Sequence, residues 1–124
     1  MANQKIIVDG QEITIKQVDD SEYLSITDIA RKFNEIPSRP ISNWLKNANT
    51  LEFMELWERL NNPNFKLPQM GEFRLDAQSN SFYPSPKNYI DRTDAIGIQS
   101  RSGRYGGTYA HIDIAFEFAS WISP

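Results

Sequence analysis

A glycine-rich basic segment that leads directly into an apolar one is the feature that most constrains how this chain can fold. Residues 98–108 contain Arg101 and Arg104, three glycines and no acidic side chain. Glycine allows the tight reversal of a hairpin turn, while the apolar positions of residues 112–122 cover most of a helical circumference. The segment predicts a β-hairpin with a basic turn, followed by a helix buried in the core.

A second hairpin is predicted at the start of the chain. Two β-branched runs in residues 5–16 are separated by Asp9 and Gly10, a residue pair that is typical of two-residue hairpin turns. Residues 24–26 add a short strand. Together with the helices expected downstream, these strands indicate an α+β fold in a single domain of 124 residues.

Two short helices follow, and their arrangement is that of a helix-turn-helix. Thr27 is positioned to act as the N-cap of a first helix that reaches about Asn34. A second helix is expected to begin near Ser38 or Pro40, because proline is well tolerated in a first helical turn. A short helix, a proline-containing turn and another short helix together form the outline of a helix-turn-helix.

The third helix is predicted to be long and heavily buried. Asn49 and Glu52 have the spacing of a capping box, and apolar residues continue from there to about Asn61. The same helix carries Glu55 and Glu58. With Glu52, these two side chains are expected to form an acidic face that points away from any polyanion.

The segment 62–84 shows no sustained hydrophobic period. It is rich in Pro, Asn, Gln and Ser, so we expect a long connection that contains one short strand near residues 72–75. Ser85 followed by proline then restarts a helix that continues to about Thr93.

Charge and composition limit the classes of function. The net charge of −3 opposes phosphate binding overall, yet basic residues are concentrated in residues 31–46 and 98–112. Cysteine is absent, which excludes disulfides and thiolate metal sites, and one histidine does not form a metal site by itself. The sequence has no charged-then-apolar leader and no apolar run that could span a membrane, which predicts a cytoplasmic protein.

Catalysis is not expected. His111 is the only candidate general base and Asp113 lies two residues further on, but no nucleophile or oxyanion hole accompanies them. The glycine spacing of residues 103–107 matches neither a P-loop nor a dinucleotide-binding fingerprint. We expect His111 to act as a cap or a hydrogen-bonding group at the start of the last helix, and no cofactor or metal.

The second helix of the pair has an apolar face and a polar face. Core packing is the expectation for Trp44, as it is for Trp57 and Trp121. The polar face carries Arg39, Ser42, Asn43, Lys46 and Asn47. These residues either keep the helix solvated or, in a DNA-binding helix-turn-helix, face the bases and phosphates of the major groove. Asn47 is equally suited to terminate the helix.

The turn of the basic hairpin is the other candidate contact. Its exposed groups and backbone amides suit phosphate binding, and an ordinary surface hairpin is the alternative. The residues concerned are Arg101, Ser102, Arg104, Tyr105, Gly106 and Gly107. We expect Tyr105 to point outward and Tyr109 inward.

Four blocks of sequence carry a resemblance to a known family. They are YLSITDIARKF at 23–33, ISNWLKNANTLEFMELWE at 41–58, SPKNYIDRTDAIGI at 85–98 and GRYGGTYAHIDIAFEFASWISP at 103–124. In this order they resemble the KilA-N domain, a DNA-binding module of phages, bacteria and large DNA viruses. The resemblance covers residues 22–124, with the hairpin of residues 1–22 appended. It implies a winged-helix fold similar to the fungal APSES domains, with residues 98–108 as the wing.

The resemblance implies non-catalytic binding of double-stranded DNA, as part of a phage or prophage regulator of transcription. Family members commonly continue beyond this point, so we expect the chain to be part of a longer protein. The competing hypothesis is a protein-interaction module of an antirepressor-type phage protein that binds a phage or host regulator. The net negative charge and the acidic face of the third helix favour that alternative. Steep salt dependence would distinguish DNA binding from an aromatic protein interface.

Overall fold

The computed structural model describes residues 4–102 and 106–123, in which five strands and six helices form an α+β fold. The strands are β1 (Gln4–Val8), β2 (Gln11–Val18), β3 (Ser21–Ser25), β4 (Ile98–Arg101) and β5 (Gly107–His111). The helices are α1 (Ile26–Arg31), α2 (Ser38–Trp44), α3 (Ala48–Asn61), α4 (Leu67–Asp76), α5 (Pro86–Thr93) and α6 (Ile112–Ile122). Within the described ranges, no helix has both the length and the apolar character needed to cross a membrane.

One antiparallel sheet joins the start of the chain to its end. The strand order is β1-β2-β3-β5-β4. β1 and β2 form the predicted first hairpin, whose turn residues Asp9 and Gly10 have φ angles of 52° and 80°. β4 and β5 form the predicted basic hairpin. β5 pairs with β3 through Leu24 and Ala110, so the two hairpins lie at opposite edges of one sheet.

A hydrophobic core forms between the sheet and the helices. Trp44 and Phe118 are fully buried and meet edge to face, with ring centroids 5.0 Å apart, which holds α2 on α6. Trp57 is buried as well, and Trp121 is partly buried, stacked on Phe118 at 6.1 Å. The prediction that Trp44 and Trp57 are core residues is confirmed.

The segment 62–84 differs from the prediction, because it contains a helix and no strand near residues 72–75. α4 begins with Pro68 in its first turn, and it buries Met70 and Phe73 on one side. The Phe73 ring packs edge to face against Tyr89 of α5 at 5.3 Å. A helix formed by a mainly polar sequence is stabilised here by tertiary packing, which a search for local periodicity does not detect.

Two predicted helix starts, those of α1 and α3, are wrong, and three, those of α2, α5 and α6, are confirmed. Ser25, not Thr27, caps α1 by accepting a hydrogen bond from the Asp28 amide at 3.0 Å. α3 begins two residues earlier than predicted, because Asn47 caps it in place of Asn49. In both cases the side-chain oxygen belongs to the residue just outside the helix, and it accepts backbone amides of the first turn that have no partner within the helix. The caps and bounds predicted for α5 and α6 are confirmed.

α3 and α6 are less buried than predicted. Leu56, Leu60 and Phe116 are exposed, so each helix presents an apolar strip to solvent. Conversely, the carboxylate predicted on the outer acidic face of α3 at Glu58 is fully buried. The acidic surface of this helix is therefore limited to Glu52 and Glu55.

Candidate nucleic-acid interface

α1 and α2 form the predicted pair of short helices, joined by the turn at residues 32–37. The Asn34 side chain accepts the Ile36 amide at 2.8 Å and stabilises this turn. α2 buries Ile41 and Trp44. On the opposite side of the helix, Arg39 and Asn43 are exposed, and both lie where a ligand in solution could reach them.

The other three polar residues predicted on this helix are placed differently. The Ser42 hydroxyl is buried and has no hydrogen-bond partner among the described residues. Lys46 donates from Nζ to the Ser79 carbonyl at 2.9 Å, and its ammonium lies 5.6 Å from the centre of the Tyr83 ring. Asn47 lies beyond the end of α2 at Trp44 and caps the start of α3, because its side chain accepts the amides of Asn49 and Thr50; the alternative interpretation, that it terminates the second helix, is wrong.

Tyr83 was not recognised in the sequence as a candidate contact. It is one of the most exposed large side chains of the described residues, and its ring lies beside Lys46 of the helix pair. Its position depends on the path of the 77–85 loop after α4. Because α4 was not predicted, the neighbourhood of Tyr83 could not be inferred either.

The basic hairpin presents Arg101 and Ser102 to solvent at the end of β4. Arg104 and Tyr105 lie outside the described residues, as does Gly103. Tyr109, the central residue of β5, is buried, as predicted. Of the predicted contacts in this hairpin, Arg101 and Ser102 are thus the side chains whose exposure the structure establishes.

Gly106 and Gly107 are required by the backbone of this hairpin. A Cβ atom on Gly106 would collide with the Arg101 carbonyl and would lie 2.8 Å from the Ser102 carbonyl carbon. Gly107 has φ of +153°, and a Cβ atom there would lie 3.0 Å from Thr27 Oγ1. Close packing accounts for both glycines, independently of any ligand that their amides contact.

The basic hairpin is attached to the helix pair by a specific hydrogen bond. The Thr108 amide donates to Thr27 Oγ1 at 2.8 Å, and Thr108 is buried. Thr27 is the second residue of α1. The side chain that was predicted to cap α1 therefore positions the hairpin relative to the helix pair.

Glu58 holds the other end of the basic hairpin. Its carboxylate accepts the Ile96 amide at 3.1 Å, the Gly97 amide at 2.7 Å and the Asn62 side-chain amide at 2.9 Å. Burial raises the pKa of Glu58, and the three hydrogen bonds oppose that change. Gly97 leaves no room for a side chain, since a Cβ atom would lie 2.8 Å from Glu58 Oε2. α3 is thus fastened to the chain just before β4.

A groove beside β4 places Arg101, a predicted contact, beside two lysines that were not identified from the sequence as candidates. It lies between β4 and α5, has a volume of about 520 Å³, and is lined by Lys16, Lys87 and Arg101. Burial and, secondarily, the charge of Arg101 lower the pKa of Lys16. Lys16 belongs to β2, which local patterns do not place near β4. Only the strand order brings it to this position.

His111 performs the capping role that was predicted for it. Its Nδ1 atom accepts the Asp113 amide at 3.1 Å at the start of α6, and its ring packs against Trp57 with centroids 4.9 Å apart. In the part of the chain that the structure describes, no three His, Cys, Asp or Glu side chains lie close enough to hold a metal ion.

Comparison with known proteins gives one match. The family model described as KilA-N domain matches residues 6–124, which include both hairpins, the helix pair and α6. No curated protein and no solved structure matches the chain.

Proposed function

Because this chain belongs to the KilA-N domain family, a family of DNA-binding domains, we propose that it binds double-stranded DNA without catalysing a reaction. We further propose that residues 1–124 form one such domain of a phage or prophage regulator of transcription. In this proposal the fold acts as a winged helix, with α2 as the helix that enters the major groove and the basic hairpin as the wing.

The observation that carries the proposal is the attachment of the basic hairpin to the helix pair. Thr27 of α1 accepts the Thr108 amide at 2.8 Å, so two exposed polar surfaces belong to one rigid unit. A DNA-binding protein needs such a unit, since phosphate contacts fix its position and groove contacts read the bases. A freely moving surface hairpin would not need this partly buried hydrogen bond.

The exposed residues divide between the two kinds of contact. Arg39 and Asn43 of α2 are the candidates for base edges in the major groove, where arginine pairs well with guanine and asparagine with adenine. Arg101 and Ser102 are candidates for phosphates. Arg104, Tyr105 and the amides of Gly106 and Gly107 complete the proposed wing contact.

The overall negative charge is compatible with this proposal because it is distributed unevenly. Acidic Glu52 and Glu55 lie on α3, and Glu55 is partly neutralised by Arg74 at 3.3 Å. The described surface of the basic hairpin from residue 98 to 102 has no acidic residue. Affinity is therefore expected to be modest and to fall steeply with salt.

Fluorescence anisotropy of a labelled mixed-sequence duplex, titrated over a range of salt concentrations, tests the proposal. Arg101→Gln should lower the slope of log affinity against log salt by about one, since each phosphate contact contributes roughly one, whereas Arg39→Gln should weaken binding to some sequences more than to others, because a base contact carries sequence information. Arg59→Gln/Lys5→Gln removes two exposed cations elsewhere and should leave the slope unchanged. No binding by the wild-type chain at low salt would contradict the proposal.

A protein-interaction module is the second candidate, and the exposed apolar strips favour it. Leu56, Leu60 and Phe116 border a groove of about 430 Å³ between α3 and α6. An interface built on these side chains would bind a regulatory protein with little dependence on salt. Under this candidate, Phe116→Ser abolishes partner binding, whereas DNA binding under the first candidate is unaffected by the same change.

A further inference from the structure

The groove between β4 and α5 carries more positive charge than the carboxylate beside it neutralises. Three cationic side chains, those of Lys16, Lys87 and Arg101, line it together with one carboxylate, that of Asp91. Asp91 already pairs with Lys87, whose Nζ lies 2.8 Å from Asp91 Oδ2. Among the described residues, no carboxylate pairs with Lys16 or Arg101 within 4.0 Å.

Lys16 is held at the groove by specific contacts. Its Nζ donates to Gln99 Oε1 at 2.9 Å, and its ammonium lies 5.9 Å from the centre of the Tyr109 ring. Gln99 and Tyr109 are paired residues of β4 and β5, so a side chain from the opposite half of the sheet reaches across to the basic hairpin. Burial lowers the pKa of Lys16, and repulsion from the nearby charge of Arg101 lowers it further.

Two cations that repel each other, of which Lys16 is partly desolvated, are stabilised by an anion between them. Around this pair the groove also presents neutral hydrogen-bonding groups, the Ser100 and Ser102 hydroxyls. A tetrahedral oxyanion such as a phosphate accepts hydrogen bonds from ammonium, guanidinium and hydroxyl groups alike. The volume of about 520 Å³ and the open form suit a phosphate that belongs to a larger molecule.

Arg101 belongs both to the proposed wing contact and to this groove. A DNA strand whose phosphates contact the turn of the basic hairpin would therefore have its next phosphates beside β4. Resting on the proposed DNA-binding function, we propose that the groove between β4 and α5 binds a backbone phosphate of the DNA. Lys16 and Arg101 hold the phosphate directly, and Lys87 stands at the outer rim. The first hairpin thereby contributes one residue to the DNA contact.

The test is the salt dependence of duplex binding by Lys16→Gln, measured by fluorescence anisotropy. The slope of log affinity against log salt should fall by about one, by the same amount for different DNA sequences, because a backbone phosphate contact carries no base information. Lys16→Arg should retain the slope. Lys5→Gln removes an exposed lysine of the same hairpin, paired with Glu12 at 3.2 Å, and should also retain it.

Lys87→Gln provides a second measurement that does not disturb the sheet, and it too should lower the slope. Thermal unfolding of each variant shows whether it is folded. If wild-type protein binds DNA and both glutamine variants keep the full slope, the groove proposal is wrong and the proposed function stands. If wild-type protein does not bind duplex DNA at low salt, both are wrong.

A titration with inorganic phosphate separates DNA from a free phosphate compound as the source of the anion. The Lys16 side-chain NMR signal should shift on addition of a short duplex at concentrations where inorganic phosphate has no effect. An equal response to millimolar inorganic phosphate, with an unchanged salt slope in Lys16→Gln, would assign the groove to a small phosphate ligand and overturn its assignment to DNA.

Discussion

The first hairpin and the basic hairpin lie at opposite edges of the same sheet, but they are held in different ways. All five residues of β1 are exposed. Among the described residues, the turn that follows β1 makes one ion pair, between Asp9 and Lys32 at 3.0 Å. The basic hairpin is bound at one end by Thr27 and at the other by Glu58. The outer strand of the first hairpin is therefore peripheral, while its inner strand β2 contacts α1 through the Thr14 amide, which donates to Asp28 Oδ2 at 2.9 Å; the basic hairpin is fixed at both ends.

This difference separates a hairpin strand that is held by local pairing from a hairpin whose orientation depends on distant residues. Hairpin turns are encoded locally, by pairs such as Asp9 and Gly10. Orientation relative to the helix pair depends instead on two side chains that are distant in sequence, Thr27 and Glu58. Substitutions at those anchors should therefore be more damaging than substitutions at the contacts of the first hairpin.

The largest effect is expected from Glu58→Gln. The change removes one of the two carboxylate oxygens that accept buried amides, and it turns a side-chain N–H group toward a backbone donor. Leaving a buried donor without its charged acceptor costs roughly 2–3 kcal/mol. Urea unfolding measures this loss. Glu52→Gln, on the exposed side of the same helix, is the control, and equal stability of the two variants would show that Glu58 is not an anchor.

Gly97→Ala should destabilise the protein by about 2 kcal/mol, in the range of overpacked core substitutions. The new methyl group would lie 2.8 Å from Glu58 Oε2 and 3.0 Å from Trp57 Cε3. Gly71→Ala is a control within the chain, because a Cβ atom at this α4 position meets nothing within 4 Å. That control should stabilise the protein by about 0.5–1 kcal/mol. Thermal unfolding measures both variants, and a shift of their melting temperatures in the same direction would contradict this contrast.

Thr27→Val tests the second anchor and should cost about 1 kcal/mol, the ordinary contribution of a neutral hydrogen bond. The substitution keeps the shape of the side chain and removes the acceptor of the Thr108 amide. Native-state hydrogen exchange of that amide should accelerate, whereas the amides of β1 keep their rates. DNA affinity should decrease as the basic hairpin loses its fixed position. Unchanged exchange at Thr108 would mean that the sheet alone holds it.

The smallest effect is expected at the first hairpin. Lys32→Gln breaks the pair with Asp9, whose side chain is 79% exposed, and exposed ion pairs contribute at most about 0.5–1 kcal/mol. We expect a change in unfolding free energy below about 0.5 kcal/mol. A larger loss in urea unfolding would show that the first hairpin is anchored as firmly as the basic one.

The parts of the fold that could be predicted from the sequence are those with a local cause. Asp9 and Gly10 specify the first turn, Ser85 caps α5, and the apolar spacing around Trp44 identifies a buried helix face. The helix pair and the basic hairpin followed from the same kind of signal. Each of these depends on residues within a few positions of one another.

The parts that could not be predicted depend on distant neighbours. Glu58 is spaced like a surface residue, and two of the three donors to its buried carboxylate, the amides of Ile96 and Gly97, lie 38 and 39 positions away. α4 is stabilised by contact with α5. Lys16 reaches Gln99 across 83 positions, so the basic groove becomes visible only when the strand order is known.

The position of β5 between β3 and β4 also determines when this protein can fold. β3 has only β2 as a partner until residues 107–111 have been synthesised, and Trp44 lacks Phe118 until still later. Contacts between residues that are far apart in sequence form slowly, because the chain between them loses conformational entropy before the contacts stabilise it. A nascent chain on the ribosome would hold its helix pair without a completed core until nearly all of this sequence had emerged.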